Sequence, residues 1–171
     1  MRRRLLVIVL AAALVGTGAC GRAGAGGPPD EGKVTKLTDG DTLRVQLNGG
    51  TEEKVRLIGI DTPETHGRGG LRECFGKEAA AELARLLPLG TTVRLTIDAE
   101  PRDRYGRLLA YVYRVSDNLH INLAMAEGGF AAPLTIPPNV AFADVFVQAA
   151  ADARDAGRGL WSACGGPDKA I

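Results

Sequence analysis

The sequence predicts an α+β, β-rich domain: a five-stranded β-barrel with about three helices packed outside it. Two observations carry this. Short runs in which apolar and polar residues alternate recur between turn signals, three of them within fewer than 30 residues. Stretches of helical periodicity interrupt and follow these runs, giving the order βββ-α-ββ-α-α. The length of 171 residues suits one ordinary domain with accessory sequence. With 21 basic against 20 acidic residues and 45% apolar content, the chain is neither disordered nor a polycation that coats nucleic acid. Its 5% aromatic content argues against an aromatic surface for gripping carbohydrate or peptide.

The elements follow in order. An apolar run over 34–37 ends in a turn at Asp39-Gly40, and Leu43, Val45 and Leu47 alternate with Thr42, Arg44 and Gln46 as a half-buried strand. Asn48-Gly49-Gly50 is a hairpin signal, and Val55, Leu57 and Ile60 continue a third strand to Asp61. Over 75–87, Ala79, Ala80, Leu83, Leu86 and Leu87 share a helix face that Pro88 and Gly90 terminate. Val93, Leu95 and Ile97 mark a fourth strand over 91–97, and 108–113 a fifth. Asn122 is placed to cap a short helix ending at Gly128-Gly129. Phe142, Val145, Phe146, Ala149 and Ala153 mark a last helix ending near Gly157. Barrels of this order are often oligonucleotide/oligosaccharide-binding (OB) folds.

The N-terminus reads differently. Arg2-Arg3-Arg4 precede an apolar run over 5–16, the layout of a secretory signal. The run is shorter than the roughly 20 residues of a spanning helix; a buried N-terminal core helix is the competing reading. Thr17-Gly18-Ala19-Cys20 is similar to a bacterial lipoprotein signal, in which Cys20 becomes the lipidated first residue. Thr17 departs from that pattern, where an aliphatic residue is usual, and simple secretion is the alternative. The Gly-, Ala- and Pro-rich stretch that follows reads as a tether. The chain thus divides into a signal (1–19), a tether (20–32), a domain (33–164) and a tail (165–171). It is expected at the outer face of the cell membrane or outside the cell. Loss of the three signal arginines leaves 18 basic against 20 acidic residues, a net −2. With Cys20 lipidated, Cys74 and Cys164 remain as a pair for a disulfide in an oxidising compartment. Closing so long a loop contributes roughly 4 kcal/mol in the chain-entropy model.

Polar functional groups concentrate in a few short segments: Asp39-Gly40-Asp41-Thr42, Arg56 with Asp61-Thr62-Pro63-Glu64, Asp103-Arg104-Tyr105-Gly106-Arg107, and Gly159-Leu160-Trp161. Taken singly, each has an ordinary reading as a turn, a loop start or an ion pair. Together with Phe75-Gly76-Lys77-Glu78-Ala79, and in this order over 34–161, they closely resemble the thermonuclease (staphylococcal nuclease-like) family.

That resemblance implies Ca²⁺-dependent hydrolysis of DNA and RNA phosphodiester bonds to 3′-phosphate products, with single-stranded or locally open substrate preferred. It implies that Asp41 and Asp61 donate carboxylates, and Thr62 a backbone carbonyl, to the cation. These are hard oxygen donors suited to Ca²⁺. His66 and His120 stand alone and read as surface histidines. Glu64 matches the carboxylate beside the attacking water, as general base or as orienting group. Arg56 and Arg107 match the arginines that grip the scissile phosphate with bidentate, permanently charged donors. Tyr105 matches a tyrosine near the nucleotide's terminal phosphate, or else is an aromatic at the edge of the core. Arg104, with Arg68, Arg72 and Arg102, could form a positive rim around the cleft. Leu134 and Ile136 stand near the family's base-pocket aromatics, a departure expected to weaken base stacking. The rival readings are a non-catalytic nucleic-acid-binding OB-fold module of the cell envelope and an envelope scaffold. The complete set of Asp41, Asp61, Arg56, Glu64 and Arg107 favours the enzyme. An exported monomer is the default.

Overall fold

Turn chemistry sets where each apolar run reverses. The computed structural model describes residues 30–66 and 72–169. The expected signal, residues 20–29 of the expected tether with Cys20, and Arg68 lie outside the described residues, whereas residues 31 and 32 already belong to the first strand. Strand β1 (Glu31–Asp39) turns through Gly40 and Asp41 into β2 (Thr42–Leu47), and Asn48-Gly49-Gly50 carries β2 into β3 (Glu52–Leu57). Helix α1 (Gly76–Leu86) leads to β5 (Thr92–Thr96) and β6 (Leu108–Arg114), with β4 (Gly59–Asp61) standing between β3 and α1. The two-residue β7 (Leu119–His120), α2 (Ile121–Glu127), β8 (Ala132–Leu134), α3 (Ala143–Asp155) and the single turn α4 (Leu160–Ala163) complete the described elements.

The main sheet runs β3-β2-β1-β5-β6-β7, and a parallel β3–β6 pairing closes five of these strands into a barrel. Val55 lies opposite Leu108 and Arg56 opposite Leu109 across that seam. Inward residues of the strands, among them Val34, Leu43, Val45, Val55, Leu57 and Val93, are fully buried. Helix α1 adds Ala79, Leu83 and Leu86 to the same core, with Leu87 just beyond its end. Ala80 is only half-buried. Each fully buried Leu or Val contributes about 2 kcal/mol relative to exposure, so the α1 face alone accounts for its docking.

The expected third strand breaks. Gly59 adopts φ +83°, and a Cβ there would lie 2.1 Å from the Phe146 ring of α3. The backbone turns at this glycine and restarts as β4, which leaves the barrel to pair with β8, Gly59 opposite Leu134 and Asp61 opposite Ala132. Period-two patterning does not register such a change of partner.

Three side chains sit differently from the sequence expectation. Asn122 does not cap α2 but lies within it, fully buried. Its Oδ1 accepts from Val112 N at 2.9 Å, and its Nδ2 donates to Ile58 O at 2.9 Å and Ala110 O at 3.2 Å. It thus ties α2 to the β3–β4 break and to β6. His120 is not a surface histidine: its ring stacks on Tyr113 and meets Tyr111, Phe142 and Phe146 edge-on, with Nε2 buried and unpartnered. Val145 points outward from α3, 43% exposed, while Phe146, Ala149, Ala150 and Ala153 face inward. The helix is read one position too wide in sequence because Val145 adjoins the true stripe.

Asn122→Ala leaves a buried donor and two carbonyls without that partner and is expected to cost about 3 kcal/mol, read by urea denaturation. Burial pushes the His120 imidazole down to about 4, below its ordinary value of about 6.5. The unfolded chain therefore takes the proton first. Stability from this group is fully present above about pH 6.5 and is lost as pH falls toward about 4. Comparing urea midpoints at ~pH 7 and ~pH 5, His120→Phe should narrow the gap seen in the wild-type protein.

Candidate active site

Residues spread over 39–66 come together at the open end of the β1–β2 turn. Asp41 is buried, and its carboxylate is the point on which this corner is assembled. Oδ2 accepts from Thr62 N at 3.1 Å and Thr62 Oγ1 at 3.0 Å, and Oδ1 from Thr42 Oγ1 at 3.0 Å. Asp41 O accepts from Leu57 N at 2.8 Å, locking the turn to the end of β3. Gly40 permits this approach: a Cβ there would lie 2.9 Å from both Ala79 Cβ and Thr62 Oγ1.

Arg56 projects from β3 into the same corner. Its Nη2 lies 3.2 Å from Asp41 Oδ2 and 2.6 Å from Asp61 Oδ1, and Nη1 donates to the carbonyls of Leu57 and Ile60. One guanidinium nitrogen therefore contacts both carboxylates that the family resemblance assigns to the cation. Glu64 follows two residues after Thr62, exposed at the mouth of the corner. Beside it, Thr65 Oγ1 donates to Asp39 Oδ1 at 2.6 Å.

This corner carries an excess of negative charge. Burial, with the Asp41, Asp168 and Glu73 carboxylates, raises the Asp61 carboxyl to about 6 against the opposing pull of Arg56. Although Glu64 is exposed overall, partial desolvation on the side facing the corner, with the charges of Asp39, Asp41, Asp61 and Glu73, raises its carboxyl to about 7. Loss of solvent is the largest cause of both shifts and the neighbouring carboxylates add to it, so positive charge in this corner would relieve both. Among the described residues, no three His, Cys, Asp or Glu side chains converge as a complete protein cage. Asp41, Asp61 and the Thr62 carbonyl are few and hard, a donor set that fits a divalent cation retaining positions for water and phosphate.

Beyond Arg56 the surface opens into a cavity of about 450 Å³, bounded by Arg56, Tyr105, Arg107, Leu134 and Ile136 among others. The seam between β3 and β6 is what brings Arg56 and Arg107 to one cleft. Arg107 is oriented by Asp103, whose Oδ2 accepts from Arg107 Nε at 2.7 Å while Oδ1 accepts from the backbone of Tyr105 and Arg107. Tyr105 stands 67% exposed rather than at the edge of the core. The Arg104 guanidinium lies 4.8 Å from its ring centre and Arg107 5.6 Å, and Arg104 Nη2 donates to the Tyr105 hydroxyl at 2.7 Å. Leu134 arrives by β8 pairing, and Ile136 on a turn whose Asn139 exchanges two hydrogen bonds with the Glu100 backbone.

The proposed arginine rim is only partly assembled. Arg102 is engaged by Glu53 through both terminal nitrogens, and Arg72 lines a separate depression beside Cys74 with Lys77. Sequence reasoning left Asp103 without a role. An aspartate heading a Tyr-Gly turn, with its side chain free to accept from the turn backbone, was the available signal.

Residues 54–163 match the family described as Staphylococcal nuclease homologue. The chain belongs to the staphylococcal nuclease family. It is 37% identical to the thermonuclease of Staphylococcus intermedius over 128 residues, 75% of this chain and 74% of that one. It is also 37% identical to an uncharacterized protein of Bacillus anthracis over 81% of this chain, spanning 64% of that relative's length. A prophage-derived endonuclease of Bacillus subtilis is 33% identical over 75% of this chain and 43% of its own. The matched stretch of this staphylococcal nuclease family member contains Arg56, Asp61, Thr62, Glu64, Tyr105 and Arg107; Asp41 lies ahead of it.

Thr62→Val keeps the shape of the side chain but removes one donor to the buried Asp41 carboxylate. It is expected to destabilise the domain by about 2 kcal/mol in urea denaturation, with the backbone bond from Thr62 N preserved.

Proposed function

We propose that the protein is an exported, Ca²⁺-dependent, sugar-nonspecific endonuclease that cleaves DNA and RNA to 3′-phosphate products. The observation that carries this reading is the meeting of two arginines and a carboxylate-rich corner at one cleft: Arg56 touches Asp41 and Asp61 and shares the cavity with Arg107. Family membership and the thermonuclease and endonuclease among its relatives support it.

Asp41, Asp61 and the Thr62 carbonyl would hold the cation, which would neutralise phosphate charge and supply Lewis-acid polarisation. Arg56 and Arg107 bind the scissile phosphate and stabilise the extra negative charge of five-coordinate phosphorus. Their permanently charged, bidentate geometry suits that task better than an ammonium. Glu64 accepts a proton from the attacking water or orients it. A cation in the corner would oppose the carboxylate charges around Glu64 and favour its ionised form, as a base requires. The water oxygen bonds to phosphorus as the bond to the 5′ oxygen breaks; the 5′ oxygen leaves as a hydroxyl after taking a proton from solvent, and the phosphate stays on the 3′ side. Tyr105 and Arg104 border the cleft where the nucleotide lies. Leu134 and Ile136 offer the base an aliphatic wall. Asp41, Arg56, Asp61, Glu64 and Arg107 all come from one chain, which supports a monomer.

The Cys74–Cys164 disulfide supports export, since such bonds persist in oxidising compartments. The N-terminal pattern adds a signal over 1–19 and lipidation at Cys20, anchoring the domain to the outer face of the membrane.

The test uses the chain from residue 20 onward with single-stranded DNA, in Ca²⁺ or chelator. Cleavage only with Ca²⁺ is expected, with turnover of Glu64→Gln about 10²–10⁴-fold lower. Arg56→Lys and Arg107→Lys should each lose about 10²-fold or more although charge is kept. Tight binding of single-stranded DNA without any cleavage would favour the non-catalytic module instead.

A further inference from the structure

The backbone of Glu64 is held by a residue outside the family's reacting groups. Glu64 N donates to Glu73 Oε2 at 2.8 Å, and Glu73 N donates to Glu64 O at 3.1 Å. The two residues thus clasp each other although nine positions apart in the chain. Glu73 belongs to no helix and to no named strand, so its own position must come from elsewhere. Its neighbour Cys74 provides it. Cys74 is disulfide-bonded to Cys164, 90 residues away, and its N–H donates to Lys169 O at 2.7 Å. Cys164 closes α4, a turn anchored by fully buried Leu160 and by Leu160 N donating to Gly129 O at 2.9 Å. On the other side, Gly76 opens α1 so closely under the clasp that a Cβ there would lie 2.7 Å from Glu64 O.

We propose that Glu73 is a positioning residue for Glu64, and that the Cys74–Cys164 disulfide holds Glu73 in place, making turnover sensitive to the redox state of that disulfide. The proposal rests on the nuclease reading of Glu64. The physical argument is one of tolerance. A carboxylate that must meet a water within hydrogen-bond reach loses rate steeply when displaced, and roughly 1 Å can cost about 10²-fold. Glu64 is exposed and sits outside regular structure. The backbone clasp, rather than packing of its side chain, fixes where that carboxylate starts. Both bonds of the clasp are near the surface and compete with water, so they persist only if Glu73 is already in place. The disulfide does this covalently, by fastening the residue after Glu73 to an anchored helix.

The test compares Glu73→Ala, which removes the acceptor, with Glu73→Gln, whose carbonyl oxygen still accepts, in protein with the disulfide intact. Glu73→Ala is expected to lower kcat roughly 10- to 100-fold with little change in KM for single-stranded DNA, and Glu73→Gln to restore most of it. Hydrogen exchange at the Glu64 amide should quicken in Glu73→Ala and not in Glu73→Gln, a readout independent of cleavage. Mild reductant should lower wild-type kcat in the same direction while circular dichroism reports a folded domain, and should add little to Glu73→Ala. Equal loss in Glu73→Ala and Glu73→Gln would overturn the acceptor role. Unchanged kcat in folded, reduced protein would overturn the role of the disulfide. If the reduced protein unfolds, the Ala/Gln pair decides the positioning role and a Cys74→Ala/Cys164→Val variant, folded by circular dichroism at lower temperature, decides the disulfide's. No Ca²⁺-dependent cleavage by the oxidised wild type would sink the nuclease reading itself, and the amide exchange would still judge the clasp.

Discussion

The Asp41 carboxylate is the constraint on which the site depends. It is buried, and it draws together a turn, a barrel strand and the segment beyond β4 through Thr42, Arg56 and Thr62. A buried carboxylate is costly unless its oxygens are matched, and here both are. The match can be made only if β3 stops at Leu57 and the chain restarts as β4, because Thr62 must return to the turn that precedes β2. The break at Gly59 and the corner at Asp41 are therefore two parts of one arrangement. Phe146 of α3 packs over Gly59 and holds the break from the other side.

Charge is distributed in the same spirit. Without Arg2, Arg3 and Arg4 the chain carries −2, yet its cleft is neither uniformly acidic nor basic. Arg56 is pinned by Asp41 and Asp61, and Arg107 by Asp103. Each arginine is thus held in position by a carboxylate before any phosphate arrives. Such pairing limits the entropy lost on binding, because the guanidinium is already directed. It also lowers the attraction of the free cleft for polyanions at long range. On the proposed function, a cation at Asp41 and Asp61 would relax the hold on Arg56 and supply the positive potential that the sequence as a whole lacks.

Much of the fold was legible because barrel strands advertise themselves: Leu43 and Val45, or Val93 and Leu95, alternate cleanly and are buried as the pattern implies. The Asn48-Gly49-Gly50 turn and the α1 stripe behave likewise. What escaped was set by tertiary contact. Asn122 has the residue type of a cap, but the backbone groups left open at the β3–β4 break recruit it into the core. His120 looks solitary in sequence, whereas the fold surrounds it with Tyr111, Tyr113, Phe142 and Phe146. The candidate site residues were readable from their ordered segments, and the structure brings Asp41, Asp61, Thr62 and Arg56 into contact. The residues that orient them, Asp103 and Glu73, were not readable, since a supporting carboxylate has no spacing of its own.

The far wall of the cleft bears on how substrate is held. Leu134 and Ile136 are 37% and 62% exposed there, carried by β8 and by a turn that Asn139 fastens to the Glu100 backbone. Aliphatic side chains bury apolar surface against a base but offer no stacking partner, forgoing part of the about 1–3 kcal/mol per base that an aromatic supplies. The one aromatic among the described residues that line the cavity, Tyr105, already has guanidiniums of Arg104 and Arg107 against its ring. Under the proposed function, grip on the substrate therefore falls mainly to the phosphate side, to Arg56, Arg107 and the cation. Phosphate contacts carry no base information, so a cleft weighted this way favours cutting with little regard to sequence, and binding that weakens steeply with salt. The low aromatic content is then a property of the recognition itself: the wall that would read bases is the one that the chain builds from leucine and isoleucine.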